Sequence, residues 1–124
     1  MTLATQSSDG LPYCATCFYA YDSGRNLLIF SSDDSTRHAA DMSARPEVAC
    51  SIALETKIVG RVQGVQICGR AARGDERSKS DYIGRFPYAA MMPLNIWVVE
   101  PHFVKLTDNT LGFGKKLIWR ADLE

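Results

Sequence analysis

The sequence carries no surplus of charge of either sign. Across 124 residues, fourteen Lys plus Arg meet fourteen Asp plus Glu, a formal net charge of zero. General nucleic-acid binders draw their affinity from phosphate contacts and show a basic excess, so nucleic acid is not an expected partner. Long apolar runs are missing as well. Nothing approaches the ~18 consecutive apolar residues of a membrane helix, so no membrane is expected either. Met1 to Gly10 holds neither a basic n-region nor an apolar h-region, so no signal peptide is read and a cytoplasmic location is expected. Histidine is scarce: His38 and His102 are the only two. Neither H-E-x-x-H nor G-x-S-x-G is present, which removes two common hydrolase signatures. His102, beside Pro101, reads as a surface or strand-edge residue.

Cysteine is limited to four residues, and in a cytosolic chain free thiols are the expectation. Cys14 and Cys17 form a C-x-x-C, but Leu11 to Tyr21 reads as a strand. Positions three apart on a strand point to opposite faces, so these sulfurs cannot share a metal or a bridge. No second C-x-x-C follows, and Cys50 and Cys68 stand alone. No metal is expected. Repeats and low-complexity segments are also lacking. The length is too short for two domains of usual size, so residues 1–124 read as one domain. A chain this long buries about two-thirds of its unfolded surface and needs no staple.

What is present is a series of short apolar segments separated by turn residues. Leu3 to Ser7 leads into Ser8-Asp9-Gly10, a hairpin signal, with Leu11 to Tyr21 as the return strand. Leu27 to Phe30 is a continuous apolar run, as in a strand buried on both faces. Thr36 to Ser43 reads as a helix, capped by Asp34 or Ser35, with Pro46 beyond its end. Val48, Cys50, Ile52 and Leu54 alternate with their neighbours at a period of two. Another strand runs from about Arg61 to Arg73. Asp75 caps a second helix that ends near Arg85, where Phe86-Pro87 interrupts it, and Tyr82, Ile83 and Phe86 form its apolar side. Ile96 to Glu100 and Phe103 to Thr107 read as two strands split by Pro101, followed by a turn and a short strand or loop. The pattern predicts a mainly β, α+β fold of about seven strands and two short helices. An antiparallel barrel, closed or partly closed, with outer helices fits that count.

The richest stretch for chemistry is Phe30-Ser-Ser-Asp-Asp-Ser-Thr-Arg-His-Ala39. A strand ends in the hydroxyls of Ser31 and Ser32, and a helix opens with Thr36, Arg37 and His38. Free N–H groups at a helix start favour an anion, a phosphate above all. Arg37 adds a charged fork suited to phosphate oxygens. Asp33 and Asp34 oppose this, and an ordinary capped helix with exposed charges explains the same residues. A second stretch, Leu106 to Trp119, places Gly112 and Gly114 beside Phe113, Lys115 and Lys116. The spacing of a nucleotide-triphosphatase phosphate loop is missing from it, and a glycine turn with surface lysines accounts for it.

In this order, a strand ending in aromatics, Tyr21-Asp22, a turn, a buried strand, Ser31-Ser32 and then Thr36-Arg37-His38-Ala39 resemble the pyridoxamine-5'-phosphate oxidase-like split barrels, which bind flavin mononucleotide (FMN). The tail Thr107-Asp-Asn-Thr-Leu-Gly-Phe-Gly-Lys-Lys-Leu-Ile-Trp119, with Arg85-Phe86-Pro87 and Gly64-Val65-Gln66, looks like a small bacterial branch of that superfamily. The resemblance covers nearly the whole chain, although relatives usually carry a helix ahead of the first strand. It implies an FMN-binding split barrel of six to seven antiparallel strands. It also implies a homodimer whose two flavin sites lie at the subunit interface.

Position by position, the resemblance implies that Arg37 is the main phosphate ligand. Thr36, Ser31 and Ser32 stand with it, and His38 replaces a lysine, so its contribution depends on pH. The strand from Cys14 to Tyr19 runs beside the flavin. Gln63 or Gly64 falls near a ring-contacting glutamine, and Asn109 stands where the oxidases have an arginine. Lys105 and Thr107 replace the Arg-x-His pair that grips pyridoxal. Tyr82 and Arg85 match the substrate-phosphate pair at a spacing one residue shorter. The resemblance therefore implies a flavin-dependent oxidoreductase of unspecified small-molecule substrate, and no catalytic side chain is named. A non-enzymatic flavin or haem carrier is the alternative, with His38 and His102 the histidine candidates for an axial ligand.

Overall fold

A computed structural model describes residues 1–121. β1 (Thr2–Gln6) and β2 (Pro12–Thr16) pair antiparallel through a turn in which Ser7 N–H donates to Leu11 O at 2.9 Å. Gly10 there has φ 81°, a left-handed value that glycine adopts without a Cβ penalty. β3 (Ala20–Asp22) and β4 (Leu27–Ser31) form the next hairpin. Helix α1 (Arg37–Ala44) leads to β5 (Glu47–Ala53) and then β6 (Gln63–Arg73). Helix α2 (Glu76–Arg85) precedes β7 (Ile96–Asp108) and β8 (Lys116–Arg120).

All described strands join one antiparallel sheet in the order β2-β1-β5-β6-β7-β4-β3, with β8 added on β7. The path does not close, because β2 and β3 are its two edges, and only residues 17–19 connect them. Inward side chains of five strands, among them Leu3, Phe30, Cys50, Ile67 and Val99, meet Ala39 and Met42 of α1 in the larger core. A second core forms on the other side of β4 and β7, where Ile29, Ile96 and Val98 pack beneath Tyr82 of α2. β4 is thus buried on both faces, as its unbroken apolar run requires. Arg25 ties the β3–β4 turn to α2, pairing with Asp22 at 2.6 Å and with Asp75 at 2.8 Å. Its guanidinium holds both carboxyls below the usual carboxylate range.

Three details depart from the sequence reading. The strand expected over Leu11 to Tyr21 breaks into β2 and β3, because the chain crosses between the two sheet edges at Cys17, whose N–H donates to Met1 O. Cys14, on β2, is exposed, whereas Cys17, just beyond its end, is buried. The two strands expected around Pro101 are one, and with Leu11 to Tyr21 split in two and β8 formed, the described residues make an eight-stranded sheet instead of six to seven strands. Proline lacks the N–H a ladder needs, and the strand survives by bulging there. Cys68 faces Phe103 while Gly69 faces Pro101, leaving His102 unpaired in the register. Gly69 is required at this point, since a Cβ would lie 2.6 Å from Glu100 O. Finally, α1 is capped by Thr36, not Asp34 or Ser35. Asp33 is used by an Asx turn to Ser35 N–H, and Asp34 pairs with Arg73 at 2.7 Å.

Candidate functional site

The junction of β4 and α1 gathers five of the residues singled out in the sequence. The last strand residue, Ser31, accepts Asn95 N–H at 3.2 Å, and Ser32 N–H donates to Asn95 O at 3.1 Å. These bonds fix where the strand ends against β7. After a tight turn, Thr36 Oγ1 accepts Ala39 N–H and donates to Asp33 O. The amides of Arg37 and His38 are then left without an intrahelical acceptor. His38 Nε2 lies 2.7 Å from Ser32 Oγ, closing the turn with a polar pair at the buried end of the strand. Burial pushes the His38 imidazole below its ordinary value, and the Asp41 charge acts weakly in the opposite sense.

Arg37 points away from that pair, towards the first hairpin. Its Nε and Nη2 donate to Ser7 Oγ at 3.2 and 2.7 Å, and its guanidinium carbon lies 4.2 Å from the centre of the Tyr13 ring. Ser7 in turn donates to buried Asp41 Oδ2, which also accepts from Thr5 Oγ1 at 2.9 Å. Ser7, Tyr13 and Asp41 were not found from the sequence. Arg37, Asp41 and Arg45 recur at four-residue steps on one helix face, a signal for Asp41. Nothing local marks Ser7 or Tyr13, which the hairpin brings in. Of the acidic pair that opposed an anion, Asp34 is paired with Arg73, whereas Asp33 is held ionised by the Ser35 N–H of its own turn.

The other candidates lie apart from this junction. Tyr19 lines a cavity of about 280 Å³ at the open end of the sheet, with Tyr21, Asn26, Ile52, Val65 and Val104. Gln63 pairs with Asp108 and borders an adjoining hollow with Leu54 and Leu106. Asn109 is close to Gln63 in the fold, but both ends of its amide are used within the protein. Nδ2 donates to Val59 O at 2.8 Å, and Oδ1 accepts Gly114 N–H at 2.9 Å. These bonds shape the tail turn, where Gly112 and Gly114 have φ of 132° and 71°.

A UPF0306 protein of Klebsiella pneumoniae (strain 342) is 42% identical over 120 residues, spanning 94% of this chain and 82% of the relative. The chain belongs to the UPF0306 family. No family model matches it. Among solved structures, this UPF0306 chain is similar to a haem-binding protein from Mycobacterium smegmatis, with TM-score 0.76 and 19% identity. That match covers 96% of this chain and 51% of the other. It is also similar to a pyridoxamine 5'-phosphate oxidase-related, FMN-binding protein from Nostoc punctiforme, with TM-score 0.71 and 11% identity. There the coverage is 98% of this chain and 80% of the other. At these identities the likeness is one of fold, and the fold of the UPF0306 chain is the split barrel of the pyridoxamine 5'-phosphate oxidase-like proteins.

Proposed function

We propose that this protein binds FMN and acts as a flavin-dependent oxidoreductase on a small molecule. The observation that carries the reading is the β4–α1 junction. There a strand ending in Ser31 and Ser32 feeds a helix capped by Thr36, with Arg37 and His38 in its first turn. The donor types suit a phosphomonoester: two amides without intrahelical acceptors, the His38 imidazole beside the Ser32 hydroxyl, and the Arg37 guanidinium, held to one side on Ser7. Arg37 is the main phosphate ligand in this reading, with Thr36, His38, Ser32 and Ser31 around it. In this reading Tyr19, Gln63 and Asn109, which lie apart from the junction, stand towards the ring, Asn109 through the tail turn that its own amide shapes. Bound FMN would supply the redox chemistry, while the protein binds and orients it. The active unit is a homodimer with the cofactor site at the subunit interface. Apolar side chains left exposed at one end of the sheet, including Leu54, Leu117, Ile118 and Trp119, support a partner there.

The test compares FMN with riboflavin, which lacks the phosphate, by flavin fluorescence. Arg37→Ala removes a charge-assisted contact worth about 1.5–3 kcal/mol, so FMN should bind roughly tenfold to 150-fold more weakly. Riboflavin should bind weakly to both proteins and almost equally. Thr36→Ala should cost less, about 1 kcal/mol for a neutral hydrogen bond. Equal losses for the two flavins on Arg37→Ala would overturn the phosphate assignment.

A second reading, haem binding, rests on the bulge. It leaves His102 exposed beside a concavity of about 770 Å³ that Cys68, Phe103 and Arg120 line. An imidazole, an aromatic face and a guanidinium for a carboxylate suit a flat anionic macrocycle. His102 Nε2 now faces Glu47 at 3.4 Å. The visible spectrum of the purified protein separates the readings, since flavin bands favour the first and a Soret band lost in His102→Ala favours the second.

A further inference from the structure

We infer that Ser7 and Tyr13 are positioning residues that pre-orient Arg37 for its anion. The inference rests on the FMN-phosphate reading of the β4–α1 junction. Arg37 is exposed and stands at the first position of its helix. A long side chain in that setting ordinarily samples many rotamers and loses that freedom when it grips a ligand. Here two contacts already restrict that freedom. The Nε–Nη2 edge sits on the Ser7 hydroxyl, and the plane lies over Tyr13.

Ser7 is itself aimed from behind. Its hydroxyl hydrogen goes to Asp41 Oδ2 at 3.3 Å, which turns its lone pairs towards the guanidinium. Asp41 is 5% exposed and is held by Thr5 at 2.9 Å and by Arg45 at 3.6 Å, so the chain of orientation ends in the core. Tyr13 faces Thr5 across the β1–β2 register, so one hairpin carries both the stacking ring and a ligand of Asp41. Among the described residues, Nη1 of Arg37 makes no hydrogen bond. The protein thus claims one edge of the fork and leaves the other end for phosphate oxygens. Ser7 and Tyr13 touch no ligand in this scheme and act through Arg37.

The test is a double-mutant cycle on the full chain, with FMN and riboflavin as probes. Ser7→Ala and Tyr13→Leu should each weaken FMN about three- to tenfold and leave riboflavin unchanged. Ser7→Thr and Tyr13→Phe, which keep the hydroxyl and the ring, should restore FMN binding. In the Arg37→Ala background, Ser7→Ala should cost nothing further, because the residue it positions is gone. Full additivity there, or no effect of Ser7→Ala and Tyr13→Leu alone, would overturn positioning while the phosphate assignment stands. If Arg37→Ala itself spares FMN, the phosphate assignment fails instead. Should Ser7→Ala not fold, the Tyr13→Leu and Tyr13→Phe pair decides the matter at a half-buried ring.

Discussion

Two demands meet at His38. Its imidazole sits half-buried against Ser32, where neutrality is favoured, at a helix start that would welcome an anion and its proton. Burial lowers the folded value below the ordinary value of about 6.5, so the unfolded chain takes up a proton first as pH falls. Stability is therefore fullest above about pH 6.5 and declines as pH drops through the lower folded value. Thermal melts between pH 7 and pH 5 should fall more steeply for the parent than for His38→Gln, without added flavin. Parallel slopes would remove His38 as the source. That Thr36, Arg37 and His38 stand together at a helix start was legible in the sequence, although the cap was read one or two residues early, at Asp34 or Ser35. Ser7 and Tyr13 were not, since they reach Arg37 from 30 and 24 positions away through hairpin geometry.

The elements were legible wherever one local rule acted alone. The apolar run of β4, the period of two in β5 and the Asp75 cap of α2 all stand as read. The reading failed where tertiary pairing overrode a local breaker. Pro101 signals the end of a strand, yet β7 runs through it, because the bulge absorbs the missing N–H. Its partner Gly69 can be tested directly. A Cβ there would meet Glu100 O at 2.6 Å and Val99 Cγ1 at 2.8 Å, and one of those is backbone that cannot swing aside. Gly69→Ala should cost on the order of 1–3 kcal/mol, the range for overpacking, and lower the denaturant midpoint. The neighbouring Gly64 meets nothing nearer than 3.7 Å, so Gly64→Ala serves as the control. Equal midpoints for both variants would mean that the bulge can relax.

At the scale of the whole molecule, the proposed homodimer has a measurable signature. Phe113, Leu117, Ile118 and Trp119 cluster on the tail turn and β8, where every residue of the strand is exposed. A second copy covering them would bury apolar surface at about 25 cal/mol per Å². Sedimentation velocity at micromolar concentration should give a dimer for the parent and a shift towards monomer for Trp119→Lys. A monomeric parent would count against a shared site. No helix among the described residues is long and apolar enough to cross a membrane. The open seam has a consequence of its own. β2 and β3 are rims of one hoop, linked by residues 17–19 and spanned by α1, which leaves β4 on one side and rests on Ser7 beside β1 on the other. A phosphate gripped by both Ser32 and Arg37 would rivet that hoop across its gap. Ligand at a hundred times its Kd adds about 2.7 kcal/mol to folding. On the FMN reading, that energy is added to a fold whose sheet stays open between β2 and β3, so ligand and α1 would hold the two edges together where no strand pairing does.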